Sequence, residues 1–170
     1  MSSLGVILAG GQAQRMGGID KGRLKIGDAS ILEIISKCLS VQLDKIVLNA
    51  NGDLSRFSDL EIDVIPDTIK GYVGPLAGVL SGMRFAKING FTSIITVASD
   101  TPFFPMDLVS KLSNTDIKEQ ALISIAATEH NNKLVRHPTF GYWSVSLADD
   151  LEKNIQSGLR KIVLWADKHS

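Results

Sequence analysis

Three features of this sequence predict an α/β fold, a three-layer sandwich whose mostly parallel sheet is covered by helices on both faces. Short apolar runs alternate along the chain with segments of helical periodicity. Phe91–Ala98 is a near-continuous apolar run, the pattern of a parallel strand buried on both faces. The distinctive polar residues come just after the apolar runs, at the strand ends where an open parallel sheet takes its ligands.

The elements follow in order. Leu4–Ala9 is the first strand, and it runs into a loop with four glycines. Leu24-Lys25-Ile26 is a short extended piece. Asp28-Ala29-Ser30 supplies a helix start for the helix Ser30–Ser40. That helix carries Ile31, Ile34, Ile35, Cys38 and Leu39 as an apolar stripe, which makes Cys38 a packing residue. Lys45–Asn49 is a second strand, rich in Ile and Val, and Ile62–Ile65 is a third, stopped by Pro66. Pro75 opens a helix at a first-turn position, where its missing N–H costs nothing, with Leu76, Val79, Leu80 and Met83 on one face. Phe91–Ala98 is the fourth strand, and Pro105 starts a helix that runs to Leu112. Ala121–Ala127 and Phe140–Trp143 are strands. Leu147, Leu151 and Ile155 mark a helix ending near Gly158, and Leu159–Trp165 matches no single period. The chain holds no internal repeat and no low-complexity segment.

Size and composition narrow the class. The 170 residues, of which 44% are hydrophobic, fit one domain over 1–170 with a sizeable core. Lys and Arg number 18 and so do Asp and Glu, so a bulk electrostatic binder of nucleic acid or membranes is excluded and any anion site must be local. One cysteine excludes an internal disulfide. No long apolar span and no basic, then hydrophobic, N-terminal segment occurs, so a soluble cytoplasmic protein is expected.

The chemistry concentrates in Leu8–Lys21, Leu-Ala-Gly-Gly-Gln-Ala-Gln-Arg-Met-Gly-Gly-Ile-Asp-Lys, directly after the apolar Leu4-Gly5-Val6-Ile7. Glycines let backbone N–H groups approach phosphate oxygens without a Cβ in the way. Arg15 and Lys21 neutralise charge that builds on those oxygens during transfer. A P-loop would need Gly-Lys-Ser/Thr, and this chain has Gly18-Ile19-Asp20-Lys21. A dinucleotide fingerprint would need G-x-G-x-x-G, but Gly10 and Gly11 are adjacent, which disfavours a nicotinamide-dependent oxidoreductase. A plain strand-to-helix turn would use glycine without asking for Arg15, Asp20 and Lys21 at fixed offsets.

The string L-A-G-G-x-A-x-R-M-G-G-x-D-K resembles the signature loop of nucleotidyltransferases that move a nucleoside monophosphate from a triphosphate onto an acceptor. It is most similar to that of the molybdenum cofactor guanylyltransferases, the MobA family. Leu-Ala-Gly-Gly rather than Leu-Ala-Ala-Gly, together with the glycine pair before Asp20, favours the guanylyl branch over the nearest alternative, a related small nucleotidyltransferase that uses CTP or builds a sugar nucleotide. A non-catalytic carrier of nucleotide or cofactor on the same fold is the alternative of a different class.

The resemblance implies a Rossmann-like fold of the nucleotide-diphospho-sugar transferase type. It implies transfer of GMP from GTP to the terminal phosphate of molybdopterin, or of the molybdenum cofactor, with release of pyrophosphate. Lys21, Arg15 and Asp100 are the implied catalytic residues. Leu8, Ala9, Gly10, Gly11, Lys21, Asn49, Asp67, Gly74 and Asp100 are the implied nucleotide contacts. Mg²⁺ on Asp100 is the implied metal, and a carboxylate after a strand suits that hard cation, although it also suits a cap for the turn before Pro102. Asn49 suits a base edge or a ribose, and equally a turn at a strand end. Gly74-Pro75-Leu76-Ala77-Gly78 opens a helix whose N–H groups favour anions, and its small residues also suit close packing. His137, in His-Pro, and Arg160-Lys161 are the implied acceptor contacts, and the last two also suit the end of a helix. Transient contacts with proteins that deliver and accept the cofactor are implied, and partners of nucleic acid or membrane are not. The chain departs from the family pattern at Ser99, where cysteine is frequent, at Gln14, where a second arginine is frequent, and at Gly52, where an arginine often follows Asn-Ala-Asn. Family members continue with an Asn-Thr-Pro-Glu-like segment, so either a further C-terminal element is expected beyond Ser170 or this member is short.

Overall fold

Alternation of side chains along the central strand sets up two cores. In the computed structural model, which describes residues 2–10, 21–69, 71, 74–113 and 121–169, β1 (Ser3–Leu8) is buried from Leu4 onward. Leu4, Val6 and Leu8 enter one core and Ile7 the other, as a period of two requires. β2 (Lys25–Ile26) and β3 (Ala29–Ser30) form a small antiparallel hairpin around Gly27, whose φ is 64°. Then come α1 (Ile31–Ser40), β4 (Ile46–Asn49), β5 (Asp63–Ile65), α2 (Pro75–Ile88), β6 (Ser93–Ala98) and α3 (Leu108–Ser113). The chain continues through β7 (Ile123–His130), β8 (Lys133–Ser144), α4 (Ala148–Gln156) and α5 (Ile162–Ala166).

The six-stranded sheet has the order β5-β4-β1-β6-β8-β7. The strands from β5 to β6 are parallel, and β8 runs antiparallel to both its neighbours. Helices α2, α4 and α5 cover one face, with Trp143 and Trp165 among the fully buried residues there. Helices α1 and α3, together with Phe57, cover the other. The expected mostly parallel sheet between two helical layers is therefore present. Among the described residues no helix is long and apolar enough to cross a membrane.

Four local expectations change. Ser30 is the cap of α1 and not its first residue: its hydroxyl accepts the Glu33 N–H while the Glu33 carboxylate accepts the Ser30 N–H, a reciprocal capping box. The helix predicted from Pro105 begins at Leu108, because Pro105 O accepts the Leu108 N–H in a turn and Val109 N–H is capped from outside by Gln42 Oε1 at 3.1 Å. The strand expected at 121–127 is shifted to Ile123–His130, and the one expected at 140–143 is three times as long, Lys133–Ser144. They join in a hairpin through Asn131 and Asn132, whose φ values of 49° and 57° fit a two-residue turn matched to strand twist. Within that hairpin the pairing jumps from Ile125–Gly141 to Ala126–His137, so Pro138-Thr139-Phe140 bulge out and the proline is accommodated. The ambiguous 159–165 segment contains α5, held in place by tertiary packing of Ile162 and Trp165.

Two substitutions test this packing. Trp143 Nε1 donates to Thr96 Oγ1 at 2.8 Å in a fully buried setting, so Thr96→Val should cost about 1–3 kcal/mol in urea unfolding followed by circular dichroism. Near the C-terminus, Asp150 Oδ2 accepts Trp165 Nε1 at 2.8 Å and faces His169 Nε2 at 2.9 Å. The Trp165 hydrogen bond, reinforced by His169 and opposed by burial, holds the Asp150 carboxyl below the ordinary value of 3.8. A depressed carboxyl stabilises the fold above its unfolded pKa, and that stability is lost as pH falls through the folded value. Asp150→Asn should flatten the loss of stability below about pH 4 while changing its slope little near neutrality.

Candidate active site

The carboxyl ends of β1, β4 and β6 meet the start of α2 at a cleft of about 240 Å³, lined by Leu8, Gly10, Asn49, Gly74, Pro75, Ala98, Ser99, Asp100 and Thr139. Five expected nucleotide contacts, Leu8, Gly10, Asn49, Gly74 and Asp100, thus converge from four separate segments. Thr139 arrives from the bulge in β8, and its sequence carried no signal for it.

Asp67 stands behind Asn49. Asn49 is 1% exposed, and its Nδ2 donates to Asp67 Oδ1 at 2.9 Å and to Ile65 O at 3.3 Å. Asn51 clasps the same aspartate twice: its Nδ2 donates to Asp67 Oδ2 at 2.7 Å, and its Oδ1 accepts the Asp67 N–H at 2.9 Å. Turning either amide over would set oxygen against oxygen, so the network fixes both orientations. Asn49 Oδ1 is then left buried with no partner among the described residues. The segment after Asp67 is tied to α2 by Ser81, whose hydroxyl accepts the Thr68 N–H at 2.9 Å and donates to Ala77 O at 2.8 Å.

Two glycines make room for this network. A Cβ on Gly10 would lie 3.1 Å from Asn49 Oδ1 and 3.8 Å from Asp67 Oδ1, and one on Gly78 would lie 2.3 Å from Asn49 Oδ1. Gly78 therefore lets α2 close onto the amide. Gly74, at φ 73°, precedes Pro75, and the helix has no side-chain cap. Its first-turn N–H groups and the positive end of its dipole border the cleft.

The remaining expected residues are placed as follows. Gly11 and Arg15, with Asp20, lie outside the described residues. Ala9 follows β1, with its N–H donating to Asn49 O at 2.8 Å. Lys21 is exposed and starts a 3-10 helix, Lys21–Arg23, seated by Gly22; a Cβ there would meet Leu32 at 2.6 Å. Asp100 is exposed, and its Oδ1 accepts the Thr101 hydroxyl at 3.1 Å. No group of three or more His, Cys, Asp or Glu fit to hold a metal occurs among the described residues. A single carboxylate at the cleft is a hard oxygen donor of the kind that suits Mg²⁺, a cation that completes its shell with waters and ligand oxygens. His137 lies on the β7–β8 hairpin, its Nε2 2.9 Å from Thr128 Oγ1. Arg160 donates to Ile155 O and Leu159 O, closing the end of α4, while its own carbonyl oxygen would sit 4.0 Å from a Cβ on Gly74. Lys161 is exposed at the start of α5.

A mostly parallel α/β sheet that brings Gly10, the buried amide of Asn49 and the carboxylate of Asp100 to one edge is an arrangement suited to a nucleotidyltransferase. The family of MobA-like NTP transferase domains matches residues 5–169, and the chain belongs to that family. The chain is 41% identical over 149 residues to the molybdenum cofactor guanylyltransferase of Mesorhizobium japonicum, covering 86% of this chain and 69% of that protein. With the Nitrobacter hamburgensis enzyme of the same name the identity is 38% over 164 residues, 95% of this chain and 77% of that one. The crystal structure of molybdopterin-guanine dinucleotide biosynthesis protein A from Archaeoglobus fulgidus superposes with a TM-score of 0.72 at 24% identity, over 97% of this chain and 79% of that one, a likeness of fold.

Gly78→Ala tests the close approach. Helix propensity alone would make it stabilising by about 1 kcal/mol, but overpacking against a doubly bonded buried amide costs about 1–3 kcal/mol. The variant should be less stable in thermal melts and bind nucleotide more weakly in equilibrium dialysis.

Proposed function

We propose that this chain transfers GMP from GTP to the terminal phosphate of molybdopterin, or of the molybdenum cofactor, forming the guanine dinucleotide cofactor. The observation that carries this reading is the convergence of Gly10, Asn49, Gly74 and Asp100 on one cleft, in a chain of the MobA-like family. Asn49, which lines the cleft, and Asp67, which is hydrogen-bonded to it, hold the nucleoside. Backbone N–H groups at the start of the glycine loop and of α2, with Lys21 and Arg15, hold the phosphates. By the family resemblance, His137, Arg160 and Lys161 are the acceptor contacts in this reading.

An oxygen of the acceptor phosphate attacks the α-phosphorus of GTP. The bond from that phosphorus to the α,β-bridging oxygen breaks, and pyrophosphate leaves with the electron pair. The nucleophile is already anionic, so no general base is needed. Catalysis rests on alignment and on neutralising charge. Asp100 would hold Mg²⁺, which, when bound, supplies positive charge beside the phosphates. Lys21 and Arg15 add fixed cations. The reaction belongs to the cytoplasm, with transient contacts to proteins that deliver and accept the cofactor.

A pyrophosphate-release assay with molybdopterin as acceptor tests the reading. GTP should support turnover and CTP should not; the reverse result would assign a cytidylyl enzyme, and release with neither would assign a carrier. Lys21→Ala and Asp100→Ala should each lower kcat/KM by about 10²–10³ with an unchanged circular dichroism spectrum.

A further inference from the structure

The turn at Gly52 is bracketed by one side chain. Gly52 has φ 80°, and a Cβ there would lie 3.3 Å from the Arg56 guanidinium, so glycine keeps the place open. Arg56 NH2 donates to Asn51 O at 2.8 Å, and NH1 donates to Asp53 O at 2.9 Å. The planar fork thus grips the carbonyls on both sides of the glycine. Its far face lies over the Phe57 ring, 4.5 Å from the centroid, and Phe57 is 1% exposed in the core. Asn51, whose backbone is held in this way, makes the double clasp to Asp67.

We propose that Arg56 is a positioning residue for nucleotide binding: it touches no substrate, but through Asn51 it fixes the carboxylate of Asp67. This rests on the reading that Asp67 holds the nucleoside. Only a guanidinium reaches both carbonyls while stacking on the ring, so lysine replaces it in part. Arg56 brings a cation to the Gly52 turn from the following 3-10 helix, Leu54–Phe57.

Isothermal titration of the full chain with GTP and Mg²⁺, beside pyrophosphate-release kinetics, tests this. Arg56→Ala should weaken GTP binding about tenfold, as loss of one well-placed hydrogen bond to a charged group would, with kcat at saturating GTP within about twofold. Arg56→Lys should fall between, and it serves as the probe if the alanine variant does not fold. Asn51→Ala should match Arg56→Ala, and the double variant should be no worse than either alone. In an Asp67→Ala background, Arg56→Ala should add nothing. If Asp67→Ala weakens GTP binding while both Arg56 variants bind it normally, the proposal is overturned and the assignment of Asp67 stands. An additive effect of Arg56→Ala on top of Asp67→Ala also overturns it. If Asp67→Ala binds GTP normally, the assignment of Asp67 fails, and the proposal with it.

Discussion

A primary amide at the end of β4 is the joint on which the site turns. Burying Asn49 is tolerable because Asp67 and the Ile65 carbonyl take both amide hydrogens. The same bonds aim its oxygen at two glycines. β4, β5, the loop after β1 and the first turn of α2 therefore share one point of contact. Each of these pieces is ordinary, but their spacing is set by an amide that has a single allowed orientation. A smaller side chain would remove one donor each from Asp67 and Ile65, and a larger one at position 78 would separate helix from strand.

The sheet changes direction beside the cleft. β5, β4, β1 and β6 are parallel and send their carboxyl ends to one edge, where the cleft opens. β8 then returns antiparallel, and its bulge brings Thr139 to the cleft wall. Phe140 turns inward from the same bulge against Phe104, with ring centroids 6.0 Å apart. This contact anchors the segment after Asp100 to the antiparallel half. The two halves of the sheet thus hold opposite walls of one opening.

What was legible in the sequence was whatever depends on short-range pattern. Asn49, Asp67 and Asp100 stand out because each follows an apolar run, and strand ends in a parallel sheet share an edge. Pro75 and the apolar face of α2 were equally plain. What the pattern hid depends on contacts far along the chain. Gln42 caps α3 from the end of α1, so Pro105 was a misleading start signal. The polar tips of β7 and β8 pair with each other and not with a core, so alternation of hydrophobicity fails there, although Asn131-Asn132 was an available turn signal. Arg56 was invisible because it acts on backbone carbonyls, which no residue type announces. Gly78 passed as a packing glycine, and the amide it accommodates comes from another strand.

The C-terminal side of the molecule has an optical consequence. The chain's two tryptophans, Trp143 on β8 and Trp165 on α5, stack at 5.8 Å with 20° between their planes. Neither lines the cleft. All indole emission from this protein therefore originates in one coupled pair where the last helix seats on the sheet. Its colour and intensity register whether that helix is docked on the sheet.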